Sequence, residues 1–408
     1  MDFLATATIA AEQENWSLLN QCLQHLRQSK SVVASNQQQI LNWAFEILTW
    51  GDFQDRWDVA KIFPSIGKPA IGPLINILQD EEADEELRWF AARILGEFHD
   101  SAVILVLVDL LKTSESEELT AMATTALANQ GKTAIAALTD LLKPEEWRLL
   151  AVRGLAHIRT KETITPLLSV VNDSQVLVRA IAIEALGSFH DPLILPVLLV
   201  ALKDVAATVR KEAVIALGVR SDLKNQVNLV QVLKPLLWDF NLDVCQQTAI
   251  ALGRLGTDEA AAALFSLWES PVTPVPLQLQ AIRALSWVET PLAIAYLKQV
   301  FFQDFVASSQ QLNSQLLIWQ EVITVLGQVQ AVNLITLATQ VLIELLNSGH
   351  PAINFAEIRQ KLANSLGLLA DPQGIDSLQS LLSDSDEVVR LHAIAALKKF
   401  PYEIGIKL

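Results

Sequence analysis

The sequence predicts an all-α chain, an α-solenoid of about eleven two-helix repeats. Three observations predict it. A short phrase recurs along the 408 residues with a period of about 31. Apolar residues make up 51% of the chain and Gly occupies only 15 positions, a balance that favours helices because Ala and Leu lose little freedom on entering one. Segments such as ILPVLLVALK at 194–203 and TPLLSVVN at 165–172 are apolar over a wide face, more than one unit can bury without neighbours.

Residues 1–50 lack the phrase but hold two helical patterns, WSLLNQCLQHL and QQQILNWAFEILTW, and are expected to form an N-terminal helical cap. The repeats are expected over 51–408. Their phrase is an acid, then an apolar residue and Arg, an Ala-rich stretch and Leu-Gly. It reads DEELRWFAARILG at 84–96, DSQVLVRAIAIEALG at 173–187, AATVRKEAVIALG at 206–218 and DSDEVVRLHAIAAL at 384–397. The Arg slot falls at Arg56, Arg88, Thr120, Arg148, Arg179, Arg210, Cys245, Gln278, Trp319, Arg359 and Arg390. Spacings run from 28 to 35 as far as Gln278, then 41, 40 and 31. Such a period holds two helices of roughly 12 residues and two short turns. A three-helix armadillo unit needs more chain, and the aromatic pattern of tetratricopeptide repeats is absent. Two-helix units of the HEAT type fit.

Within each unit, Asp173, Asp204, Asp243 and Asp384 are placed to cap the second helix. Ala91, Ala151, Ala182 and Ala213 allow close helix approach, and Gly96, Gly187, Gly218, Gly253 and Gly367 suggest left-handed helix ends. VTPVP at 272–276 interrupts the pattern, and the stretch 270–330 is expected to be irregular.

The formal charge of −15 repels phosphate backbones, which argues against nucleic acid as a bulk partner. Cys22 and Cys245 lie too far apart in sequence, and are too few, for a disulfide framework or a zinc site. The N-terminus has no basic n-region, and no apolar run approaches the ~18 residues of a membrane span, so a cytoplasmic chain is expected.

The Asp-x-x-Val-Arg-x-x-Ala…Ala-Leu-Gly phrase resembles the HEAT-like repeat of cyanobacterial phycobilin lyases of the E/F type. GDFQDRWDVAKIFPSIGKPAIGPL from residue 51, followed by DEELRWFAARILGEF, is similar to cyanobacterial HEAT-repeat proteins classed with those lyases. The resemblance spans roughly residues 51–400. It implies a setting in phycobilisome or iron–sulfur cluster assembly, with a phycobiliprotein subunit or an A-type iron–sulfur scaffold as partner. A bilin, or a cluster shared with that partner, is the implied cofactor.

In HEAT arrays the second helices line the concave side. Positions one and five past the Arg slot share a helix face and place Trp57 and Trp89 beside Lys61, Arg93 and Arg153. Trp beside Arg is a pairing found at binding hot spots, and it suits a flat conjugated ligand bearing carboxylates, as a bilin is. The bland alternative is that these Trp fill the core between repeats while Asp84, Glu85 and Glu86 pair the cations. Arg88, Arg148, Arg179, Arg210 and Arg390 are expected to form a structural ladder with acids of adjacent repeats. Cys245 interrupts that ladder and is a candidate single contact to a partner's metal cluster, against the plain reading of a buried thiol. The six His show no metal-ligand spacing, and GxSxG and GxxxxGK[ST] are both absent. No catalytic residue is assigned. The expected function is a non-enzymatic binding scaffold or assembly chaperone. Its rival is a phycobilin lyase or lyase subunit that orients a bilin toward a phycobiliprotein cysteine.

Overall fold

A computed structural model describes residues 2–28, 34–223, 226–303 and 309–400. They form helices and turns, with no strand among the described residues. The chain divides into two compact units, Met1–Ile194 and Leu195–Leu408.

In the first unit, Phe3–Glu12 and Trp16–Leu26 pack on each other. Asn20 and Gln24 then donate to the backbone carbonyls of Asp55 (3.1 Å) and Asp58 (3.0 Å), fastening this pair to the first repeat. Helix pairing begins inside the stretch 1–50 that the sequence sets aside, because Gln37–Trp50 packs against Phe53–Ala60. The following second helices are Glu85–Leu95, Glu117–Asn129, Arg148–Ile158 and Val176–Gly187, each stacked on the one before. Their first helices are Ile71–Gln79, Ser101–Thr113, Ile135–Leu141 and Ile164–Leu168.

In the second unit the second helices are Ala207–Gly218, Leu242–Leu255, Val275–Val288, Ser309–Gly327, Ala356–Leu369 and Glu387–Leu397, again stacked in succession. With those of the first unit they number eleven among the described residues, and every slot residue from Arg56 to Arg390 lies on one of them. The wide spacings around Trp319 reflect longer helices, Ser309–Gly327 and Val332–Asn347. Residues 304–308 of the segment expected to be irregular lie outside the described residues.

The core runs between the layers. Ala91, Ala151, Ala182 and Ala213 are fully buried, as close helix approach requires. The phrase-ending glycines depart from expectation. Gly96 has φ −57° and lies at a helix end in right-handed backbone, and Gly187, Gly218, Gly253 and Gly367 lie within their helices. Left-handed helix ends fall instead at Arg159, Gly256, Glu289 and Ala370. The glycines answer a different need. A Cβ on Gly218 would lie 2.6 Å from Ala251 Cβ, and one on Gly367 would lie 2.5 Å from Ala396 Cβ, so the next second helix occupies the space of a side chain.

The acids at the turns also differ from the expected caps. Asp173, Asp204 and Asp384 accept from the backbone N–H two residues on, at 2.8, 2.8 and 2.9 Å, closing a turn before the helix starts. Asp243 sits in the first turn of its helix, which Asn241 caps.

Candidate functional site

Five slot arginines reach back to the segment that precedes their own helix. Arg179, Arg210, Arg359 and Arg390 each donate Nη1 to the carbonyl six residues earlier, at 2.7–2.8 Å. Arg148 reaches the Leu142 carbonyl through Nε at 2.8 Å. The rest of the guanidinium fork extends to the next repeat. Arg148 meets Asp173 at 2.7 Å, Arg210 grips both oxygens of Asp239 at 2.7 Å, and Arg359 grips both of Asp384 at 2.7 and 2.9 Å. Arg56 meets Asp84 and Glu86 at 3.0 and 2.8 Å. Arg88 donates to the Leu78 carbonyl at 3.1 Å; neither it nor Arg390 forms an ion pair among the described residues. Burial works to raise the Asp239 carboxyl, but the Arg210 bonds, the Asn241 N–H and the Arg210 charge outweigh it and hold the carboxyl low. The Arg359 bonds do the same for Asp384 against a smaller cost of burial.

Where the slot is not Arg, the bonding changes with the residue. Cys245 Sγ donates to the Asp239 carbonyl at 3.1 Å, taking over the bond an arginine makes at this place. It is 4% exposed, and burial, followed by the Asp239 charge, pushes its thiol up. A packed thiol of this kind is not on the surface where a partner's cluster would meet it. Cys22 is also buried. Gln278 reaches the Trp268 carbonyl at 3.4 Å, and Trp319 is fully buried beside Phe301 and His350. No group of three or more His, Cys, Asp and Glu that could hold a metal is present among the described residues.

The residues expected to line the groove separate into two sets. Arg93 Cζ lies 3.9 Å from the centroid of the Trp57 ring, a cation–π contact between successive second helices. Phe53 stacks on Trp57 at 6.1 Å and leans on buried Phe90, which Trp89 meets edge-on at 5.1 Å. Both tryptophans are half-buried, while Phe53 is exposed. Neither Arg93 nor Arg153 forms an ion pair among the described residues, and Arg153 is exposed. The acids proposed as their partners are used elsewhere: Asp84 and Glu86 by Arg56, and Glu85 by Ser116. Lys61 does not join the set, since its ammonium pairs with Asp58 at 2.7 Å. The Lys61 and Gln54 bonds hold the Asp58 carboxyl low. Phe53 was not among the residues expected at the groove, although its spacing of four from Trp57 puts both rings on one helix face.

Stacked helix pairs of this kind define a helical repeat protein. This chain belongs to the HEAT-repeat family, whose sequence profile matches residues 71–149, 143–218 and 339–407. Over 286 residues it is 25% identical to deoxyhypusine hydroxylase-B of Oryza sativa subsp. japonica, covering 65% of this chain and 91% of that protein. Among solved structures, a Kap121p mutant matches 97% of this chain and 51% of its own length, with a TM-score of 0.52 and 12% identity, which shows the fold. Human deoxyhypusine hydroxylase in complex with glycerol matches 69% of this chain and 97% of its own, with a TM-score of 0.28 and 21% identity. No described helix is long and apolar enough to cross a membrane.

Proposed function

We propose that this chain is a scaffold that binds an acidic segment of a partner protein on the second-helix layer of its first unit, at Trp57, Arg93 and Arg153. The observation that carries this reading is the position of Arg93, held by a ring instead of a carboxylate. A guanidinium against a ring face keeps its N–H donors for another acceptor. In a chain of net charge −15, where Arg56, Arg148, Arg210, Arg220, Arg283 and Arg359 all hold acids, Arg93 is seated on a ring. The resemblance of the repeat phrase supplies the setting: a phycobiliprotein subunit or an A-type iron–sulfur scaffold as the partner, in the cytoplasm.

The same stack favours one second reading. A flat ring beside a free guanidinium suits a bilin and its propionates, so the chain would act as a phycobilin lyase or lyase subunit. Two experiments separate these readings. Arg93→Glu combined with Arg153→Glu, checked for folding by circular dichroism, is expected to weaken binding of a purified partner by about tenfold or more, as loss of a hot spot does. Undiminished binding sinks the site. Co-expression with a bilin and phycobiliprotein subunits reads the lyase directly, as covalent colour on the acceptor. Turnover of a deoxyhypusine substrate would instead move the chain to the activity for which its rice relative is named.

A further inference from the structure

Ser114 stands where an aspartate stands in three other repeats. Asp173, Asp239 and Asp384 each lie six residues before a slot position and accept the backbone N–H two residues on, at 2.8–2.9 Å. Each also accepts from the arginine of the preceding repeat, Arg148, Arg210 or Arg359, at 2.7–2.9 Å. Ser114 lies six residues before Thr120, and its Oγ accepts the Ser116 N–H at 3.2 Å, the same turn bond. The corresponding arginine of the preceding repeat is Arg88. Its Nε is spent on the Leu78 carbonyl at 3.1 Å, and its Nη groups hold no acid among the described residues. Arg88 and Thr113, the residue before Ser114, line one cavity of about 230 Å³. The arginine of the link is present, and a hydroxyl stands in the place of its acid.

We propose that Ser114 is a phosphorylation site, and that its phosphate completes the link to Arg88 that Asp173, Asp239 and Asp384 complete unmodified in their own repeats. In the transfer, Ser114 Oγ bonds to the γ-phosphorus of ATP and the bond to the β-phosphate oxygen breaks. ADP departs with that electron pair, and the hydroxyl proton passes to a base of the protein kinase. The product carries a charge of about −1.5 to −2 and three acceptor oxygens for the Arg88 Nη donors. Simple loss of a link looks different in this chain. At Cys245 the arginine is gone, and Val272 stands six residues before Gln278, so neither half of a link remains. At Arg88 and Ser114 one half remains whole, and the other keeps a nucleophilic oxygen. Ser114 is half-exposed, in the stretch 114–116 between Ser101–Thr113 and Glu117–Asn129. Exposed Glu115, Glu117 and Glu118 follow it, a charge pattern of the sort by which kinases choose substrates. These acids do not bar the product, since Asp384 holds Arg359 with Asp386 and Glu387 close behind it. Glu81 and Asp109 border the same cavity and are exposed, so solvent screens them.

The test uses the full chain. Mass spectrometry of the protein isolated from its own cells is expected to find phosphate on Ser114. Protein carrying phosphoserine at 114, introduced during synthesis, is then compared with the unmodified protein by amide exchange. Exchange through local opening of Glu117–Asn129 is expected to slow by about tenfold or more, the worth of a hydrogen bond to a charged group. Ser114→Asp should slow it as well, because aspartate is what the other links carry. Arg88→Gln, checked for folding by circular dichroism, should abolish both effects. A phosphate acting only on its own helix would slow exchange with or without Arg88. No partner enters this test, so its outcome is independent of the Trp57–Arg93 site. Absence of phosphate from Ser114 in the native protein overturns the proposal, as does unchanged exchange or slowing that survives Arg88→Gln. Equal slowing of the unmodified protein by inorganic phosphate also overturns it, since the place would then take a free anion.

Discussion

Replacing Gly367 by Ala sets two effects of similar size against each other. In an isolated helix the change is favourable by about 0.8–1.0 kcal/mol, because Gly loses more backbone freedom. Here the added Cβ would lie 2.5 Å from Ala396 Cβ and 2.7 Å from Ala396 Cα. Carbon atoms rest at about 3.5–4.0 Å, so the shortfall is about 1 Å and the obstacle is backbone, which no rotamer change removes. Overpacking of this kind costs about 1–3 kcal/mol. With backbone as the obstacle the cost falls in the upper part of that range, about 2–3 kcal/mol, so the net expectation is a loss of about 1–2 kcal/mol at the C-terminal helix pair, measured by urea unfolding. Gly154→Ala is the control, because its Cβ would meet only the methyl ends of Leu138, the nearest at 2.9 Å. It should destabilise less than Gly367→Ala. Adding Ala396→Gly to Gly367→Ala should recover part of the loss, since it removes the Cβ contact and leaves the Cα one. A Gly367→Ala protein as stable as the parent, or less affected than Gly154→Ala, would refute the reasoning.

Three further outcomes follow from the same geometry. Asp239→Asn leaves the Arg210 side chain, 14% exposed, without its carboxylate, and should cost about 2–3 kcal/mol in urea unfolding; a loss below about 0.5 would show the pair to be incidental. His350 packs among Phe301, Phe302 and Trp319 and accepts the Ala352 N–H at Nδ1, and burial lowers its pKa from 6.5. Its contribution is therefore full above pH 6.5 and lost as pH falls from there through the folded-state value, at up to about 1.4 kcal/mol per pH unit. The difference in stability between the parent and His350→Gln should be flat above that window and shrink within it. The lowered Asp239 and Asp384 act separately, since their stabilisation is lost only as pH falls below the ordinary carboxylate value of 3.8. Both cysteines should react with a thiol reagent only on unfolding, and a thiol that reacts fast in the native protein would contradict their burial.

The repeat architecture was legible because the arginine slot and the alanine three residues after it recur together at Arg88, Arg148, Arg179, Arg210 and Arg390. Wherever the phrase failed, the register still held: Thr120, Cys245, Gln278 and Trp319 all lie on second helices. The roles of several residues were not legible. Leu-Gly at a helix end has the composition of a left-handed stop, and only the neighbouring helix, some thirty residues on, reveals that Gly218 and Gly367 are there for clearance. The phrase likewise does not show that Asp173 or Asp384 serves two repeats at once. At the candidate site, helix periodicity brought Trp57 and Arg93 together correctly. It also grouped Lys61 with them, because the pattern on one face carries no information about Asp58, one turn back.

The dual role of the turn aspartates has a consequence for where the array can give way. Joints of this kind have an arginine plug at Arg56, Arg148, Arg210 or Arg359 that enters an acidic socket at Asp84, Asp173, Asp239 or Asp384 of the next repeat. After Cys245 the plug is missing, and no ion pair links Leu242–Leu255 to Val275–Val288 among the described residues. After Gln278 a different plug is used, since Arg283 grips Glu321 of the next second helix at 2.6 and 3.2 Å. Because stability in such arrays is set between nearest neighbours, the joint after Cys245 is the natural fault line of the second unit. Amide exchange through local opening should be fastest there and should slow again from Gln278.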